Sequence, residues 1–126
     1  MPVNPYKKYQ EQSIMTMTQE ELLNVLFETC VKRMNSAVIY IEEKNYALAS
    51  ENIQKARNIL RYLDETLDMS YEISANLSSL YDFFIYKLTN ANVKKDAEMI
   101  KEIIPMVDEL GKTFKEAEKS LRKKGA

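Results

Sequence analysis

The chain has 126 residues, a formal net charge of −1, 45% hydrophobic and 29% charged residues, which suits one domain with a real core but not two. It has no histidine and a single cysteine, Cys30, so it lacks the usual general base near neutral pH, the commonest metal ligand and any intrachain disulfide. The balanced charge gives no global attraction to nucleic acid, and no run approaches the ~18 apolar residues of a membrane span.

Only two glycines and three prolines occur, and no period-two alternation is sustained, so the expected class is all-α. Residues 1–17 lack an amphipathic period, and Pro2 and Pro5 hold the start extended, which predicts an N-terminal arm, extended or briefly helical. Met1-Pro2-Val3-Asn4 has no signal-peptide apolar core, so a cytoplasmic protein without membrane insertion is expected. Tyr6 and Tyr9 are three residues apart, so one helical turn would set the rings side by side. With Ile14 they are the apolar anchors of an otherwise polar arm.

Thr18 and Glu21 form a capping box that opens a helix over about 18–43, with Leu22, Leu26, Cys30, Met34, Ala37 and Ile41 as its buried stripe. Cys30 is in phase with that stripe and has no base to activate it, so it reads as core. Lys44-Asn45 is the next turn, Asn45 caps a second helix ending near Asp68, and Ala49, Ile53, Ala56, Leu60, Leu63 and Leu67 mark its inner face. Ser70 is the expected cap of the third helix, which runs to about Asn90, with Asn90-Ala91-Asn92 as the following turn.

In that third helix Ile73, Leu77, Leu80, Phe84 and Leu88 make a complete core stripe. Tyr81, Phe83, Ile85 and Tyr86 lie outside it, which is more apolar surface than one buried face needs and points to a partner. The fourth helix carries Ile100, Ile103, Val107, Leu110, Phe114, Ala117 and Leu121. Pro105 predicts a kink near Lys101 rather than a break, because the stripe keeps its phase across it; Gly111 adds local softness. Met34, Met99 and Met106 suit core or groove wall. The last stretch is basic, with Lys112, Lys115, Lys119, Arg122, Lys123 and Lys124, as befits a solvated helix end.

Helices of this length joined by short turns pack as antiparallel neighbours, so the expected architecture is an up-down-up-down four-helix bundle over 18–121, with the arm at 1–17 and a basic tail at 122–126. Carboxylate pairs such as Glu20-Glu21 sit at helix ends, where capping and the helix dipole account for them. No glycine loop for phosphate is present. Neither catalysis, nor a cofactor, nor a metal is expected.

Two separated motifs carry a resemblance. Ile73-Ser74, Asn76-Leu77, Leu80-Tyr81 and Ala91-Asn92 with Asp96 resemble the signature of the FliS family of flagellar secretion chaperones. Asn4-Pro5-Tyr6-Lys7-Lys8-Tyr9, followed by Leu22-Leu23 and Leu26, resembles that family's opening. The similarity runs from about Asn4 to Ala117. Gln19 stands where such proteins commonly have proline, Phe27-Glu28-Thr29 where they often read Tyr-Asp-Gly, and Pro105 implies a bend the family lacks.

The resemblance implies a cytosolic, non-enzymatic type III flagellar export chaperone. It would bind the disordered C-terminal helical segment of flagellin, prevent premature polymerisation and aid delivery to the export apparatus, whose gate would be a second partner. The residues expected to dock the partner are Tyr6, Tyr9 and Ile14 of the arm with Leu77, Leu80, Tyr81 and Phe84 of the third helix. Such a protein would be a monomer or weak dimer. The alternative is a structural bundle that self-associates through the same aromatic face and has no export role.

Overall fold

The structure, a computed structural model, describes residues 17–124, with side chains to Ala117 and that of Lys119. Among the described residues there are four helices, α1 (Gln19–Glu42), α2 (Tyr46–Glu65), α3 (Glu72–Lys94) and α4 (Ala97–Lys124). Residues 1–16, and with them Tyr6, Tyr9 and Ile14, lie outside the described residues.

Local chemistry sets each boundary. The Thr18 hydroxyl accepts the Glu21 amide at 3.2 Å and opens α1, and the Asn45 side-chain oxygen accepts the Leu48 amide at 3.3 Å to open α2. Both caps satisfy an amide that has no partner within its helix. Between α1 and α2 the chain reverses through Lys44 at φ 60°, with Asn45 N–H donating to the Tyr40 carbonyl at 2.8 Å and Lys44 N–H to that of Ile41 at 3.0 Å. This is the Schellman closure, with lysine where glycine is usual.

Two expected boundaries move. Ser70 does not cap α3: its amide and hydroxyl both donate to the Asp68 carboxylate, at 3.0 and 2.6 Å, and Tyr71 takes the cap position without a side-chain bond. A carboxylate two residues upstream is the stronger acceptor, so it closes an Asx turn and claims the serine. Nor is Asn90-Ala91-Asn92 a turn. α3 continues to Lys94 because Ala91 is fully buried and Asn92 donates to the Ser50 hydroxyl on α2 at 3.2 Å. The chain reverses at Lys95, φ 51°, and the Asp96 carboxylate accepts the Glu98 amide at 3.0 Å at the start of α4. Pro105 lies inside α4, which runs unbroken through it.

α1 packs on α2 and α4, and α3 packs on α2 and α4, so the helices close a ring. Lys101 on α4 meets Glu42 at one end of α1 at 3.2 Å, while Phe114 stacks on Phe27 near the other end with centroids 5.5 Å apart. Those helices are therefore antiparallel, and with short connections throughout the chain is an up-down-up-down four-helix bundle. Its core holds Cys30, Met34, Ile53, Leu60, Tyr81, Phe84, Leu88, Ile100, Ile103 and Val107. Asn52 is a buried polar exception, satisfied by donating to the Leu48 carbonyl at 2.9 Å and accepting from Arg33 on α1 at 3.4 Å.

The inner face of α3 differs from the expected stripe. Ser74, Tyr81, Phe84, Leu88 and Ala91 are buried, whereas Ile73 is 63% exposed. The face therefore follows alternating steps of three and four from Ser74, the spacing that keeps one seam against neighbouring helices. A serine can lead it because its hydroxyl donates to the Asp68 carbonyl at 2.6 Å, which removes the penalty of burying it.

Candidate functional site

The seam between α3 and α4 gathers the apolar surface that the core leaves over. Lys87 on α3 and Glu102 on α4 bridge it at 2.7 Å. One helical turn away from the α3–α4 connection, the same seam reaches Phe83 on α3 and Met106 on α4, respectively 38% and 42% exposed. Leu80, seven residues before Lys87, follows on the same edge of α3 and is half-buried, as is Leu77. The Lys87 ammonium also lies 5.9 Å from the centre of the Phe83 ring, so it holds both the ring and the neighbouring helix.

Of the residues expected to dock a partner, the structure brings Leu80 to the seam, whereas Leu77 is in phase with the inner face and half-buried against the core. Tyr81 and Phe84 are core residues instead, 1% and 0% exposed, and present no surface to a partner in this bundle. The reason is the register of α3: with the face led by Ser74, Tyr81 turns inward and Phe83 takes the edge. Burial, then the charges of Asp64 and Cys30, raises the Tyr81 phenol above its ordinary pKa.

Beyond the seam, Met69, Tyr71 and Ile73 are exposed where α2 passes into α3. The Asp68 turn holds that passage rigidly, and the bonds from Ser70 depress the Asp68 pKa. Sequence reasoning missed this display, whose signal was three large apolar residues at alternate positions flanking a serine.

A second hollow, about 150 Å³, opens between α1 and α4 and is lined by Asn24, Phe27, Glu28, Asp108, Gly111, Lys112 and Lys115. Its floor is the close contact of Gly111 with Phe27. Lys112 is paired to Asp108 at 3.1 Å, and no cysteine, serine or threonine is among the lining residues. Cys30 is fully buried, its Sγ 3.7 Å from the Ala56 carbonyl, and burial pushes the thiol up to about 12, which makes it inert. Among the described residues no cluster of His, Cys, Asp and Glu could hold a metal, and no helix is long and apolar enough to cross a membrane. What the surface offers is shape and apolar area for binding.

Residues 2–121 match the profile of the family described as flagellar protein FliS. The flagellar secretion chaperone FliS of Bacillus subtilis is 36% identical over 120 residues, covering 95% of this chain and 90% of its own. Those of Salmonella typhimurium and Escherichia coli are 29% and 24% identical, covering 84% and 85% of this chain and 81% of their own in each case. The chain belongs to the FliS family of flagellar secretion chaperones, a family of chaperones and not of enzymes.

Proposed function

We propose that this protein works in the cytosol as the export chaperone of flagellin, holding the subunit's C-terminal helical segment in the groove between α3 and α4. The observation that carries the reading is the row Leu80, Phe83 and Met106, a half-covered apolar seam beside the buried core. A disordered amphipathic segment can fold along such a seam, placing anchors a turn apart. Coupled folding of this kind buries on the order of 1,000–3,000 Å² and loses several kcal/mol to ordering, so the client is held yet releasable. Covering that segment keeps the subunit from polymerising before it is handed to the export gate.

The arm belongs to the same reading. Tyr6, Tyr9 and Ile14 compete with the client for the groove. The antiparallel order puts the start of α1 at the same end of the bundle as the start of α3, within reach of the sixteen residues before Met17.

Isothermal titration with a peptide of the host flagellin's C-terminal region tests the reading, with circular dichroism of the mixture. One-to-one binding, a negative heat-capacity change and a gain in helix are expected. No heat and no gain, together with mass that rises with protein concentration, would favour the self-associating bundle instead. Removal of residues 1–17 should tighten binding; unchanged affinity would discard the arm's part.

A further inference from the structure

The chain carries seven methionines and one cysteine, and the fold grades them by access to an oxidant dissolved in water. Cys30 is fully buried, and that burial holds its thiol protonated, so the side chain that ordinarily reacts first has no thiolate to offer. Met34 is fully buried, and Met99 is half-buried against the core. Met17 is half-buried before α1. Met69 and Met106 are exposed, the first where α2 passes into α3 and the second on α4.

Of these two exposed methionines, Met106 is the one that stands in the seam. Glu102 faces α3, since it bonds Lys87 at 2.7 Å, and Met106 follows one turn later on the same edge. A thioether suits that place, being flexible, polarisable and in little need of hydrogen bonds. A sulfoxide does not. Its oxygen is a strong acceptor, and an apolar anchor laid on it would strip away water without supplying a bond. Donors that flank Met106 along the seam are engaged elsewhere. The Lys87 ammonium, one turn toward the α3–α4 connection, is held by Glu102. The Thr113 hydroxyl, two turns the other way on the same edge of α4, donates to the Glu109 carbonyl at 2.9 Å.

We infer that Met106 is an oxidation site that switches the hold on the client: a peroxide converts its thioether to the sulfoxide, and the groove then binds an apolar helix more weakly. This deepens the docking role proposed above and rests on it. Hydrogen peroxide transfers one oxygen atom to the sulfur, which is oxidised by two electrons; the O–O bond breaks and the other oxygen leaves as water. Methionine sulfoxide reductase reverses the step, two thiols becoming a disulfide while the oxygen leaves as water, so the groove is restored. The bundle itself keeps its packing, because Met34 and Cys30 are closed to the oxidant.

The test treats the full chain with hydrogen peroxide, removes the oxidant and titrates in the flagellin C-terminal peptide, with mass spectrometry of tryptic fragments to locate the added oxygen. The fragment holding Met106 should gain one oxygen and that holding Met34 none, with helix content unchanged. Affinity should fall by about five- to tenfold, as when one contributing interface side chain is lost, and recover after treatment with the reductase. Met106→Leu, which conserves apolar volume, should bind as the parent does and keep its affinity through oxidation. Met69→Leu should lose affinity as the parent does.

Unchanged affinity with Met106 oxidised overturns the switch. So does an equal loss in Met106→Leu, which would assign the effect to another methionine, such as Met69 or Met15 of the arm. A Met106 fragment that stays unoxidised while that of Met69 is converted overturns it as well, since the seam would then deny the oxidant access. If Phe83→Ala weakens binding by the untreated protein while oxidation does not, the docking reading stands and the switch alone falls. If the untreated protein does not bind the peptide, both fall.

Discussion

A Cβ atom built on Gly111 of α4 would lie 2.8 Å from the Cβ of Phe27 on α1, and 3.0 Å from its Cγ. The glycine is what lets the two helices meet at the depth where Phe27 also stacks on Phe114. In an isolated helix alanine would be favoured here by about 1 kcal/mol. Because the clashing atoms are at the stiff root of the phenylalanine, Gly111→Ala should nevertheless destabilise the bundle by about 1–3 kcal/mol. Urea unfolding measures it, and a variant more stable than the parent would mean that α1 and α4 separate freely.

The two left-handed lysines are predicted to respond unequally to glycine. Lys44 contributes conformational strain to its turn, so Lys44→Gly should stabilise by about 0.5–1 kcal/mol. Lys95 has the same backbone but donates to Asn92 at 2.7 Å and lies 5.9 Å from the centre of the Tyr46 ring. Lys95→Gly should therefore gain little or nothing. Thermal melts of the two variants under one condition decide it.

Stability should fall on the alkaline side. Burial raises the Cys30 thiol to about 12 from 9.0, and Tyr81 is raised in the same direction. The unfolded chain releases these protons at their ordinary values while the folded chain keeps them. The folded state then binds more protons, and stability declines as pH rises through the window from about 9 to 12, by about 1.4 kcal/mol per pH unit for a fully protected thiol. Without histidine, the profile should be flat across about pH 6–8. In a series of denaturation curves, Tyr81→Phe should show a shallower alkaline decline than the parent.

Neighbouring phenylalanines on α3 should behave as opposites. Phe84 is fully buried, so Phe84→Ala should cost about 3–5 kcal/mol of stability. Phe83 is 38% exposed at the seam, so Phe83→Ala should leave the fold nearly intact while weakening flagellin-peptide binding by about 1–2 kcal/mol. Loss of stability without loss of binding at Phe83 would place the client elsewhere on the bundle.

Among the described residues, several that carried the family resemblance build the fold. Ser74 bonds the Asp68 carbonyl, Tyr81 fills the core, Ala91 is buried, Asn92 ties α3 to α2, and Asp96 caps α4. They were legible as a motif, but their spacing did not reveal that they serve packing. The proposed docking edge is Phe83 and Met106, 38% and 42% exposed, which the sequence marks respectively as surplus aromatic surface and as core or groove wall.

Composition and periodicity by themselves determined four helices, the caps at Thr18 and Asn45, the inner face of α2, the Cys30–Ile41 part of that of α1 and the Ile100–Val107 part of that of α4, because those depend on contacts within a turn or on a clear stripe; Phe27 is buried outside the expected stripe and Ala117 is exposed. Tertiary structure decided the rotation of α3, the extension of that helix to Lys94 and the closeness of Gly111 to Phe27. The stripe expected for α3 began at Ile73, whereas the observed face is led by Ser74, whose hydroxyl bonds the Asp68 carbonyl, and ends at Ala91 beside Asn92, which bonds Ser50. Such choices depend on atoms brought together across helices, which spacing along one helix does not encode.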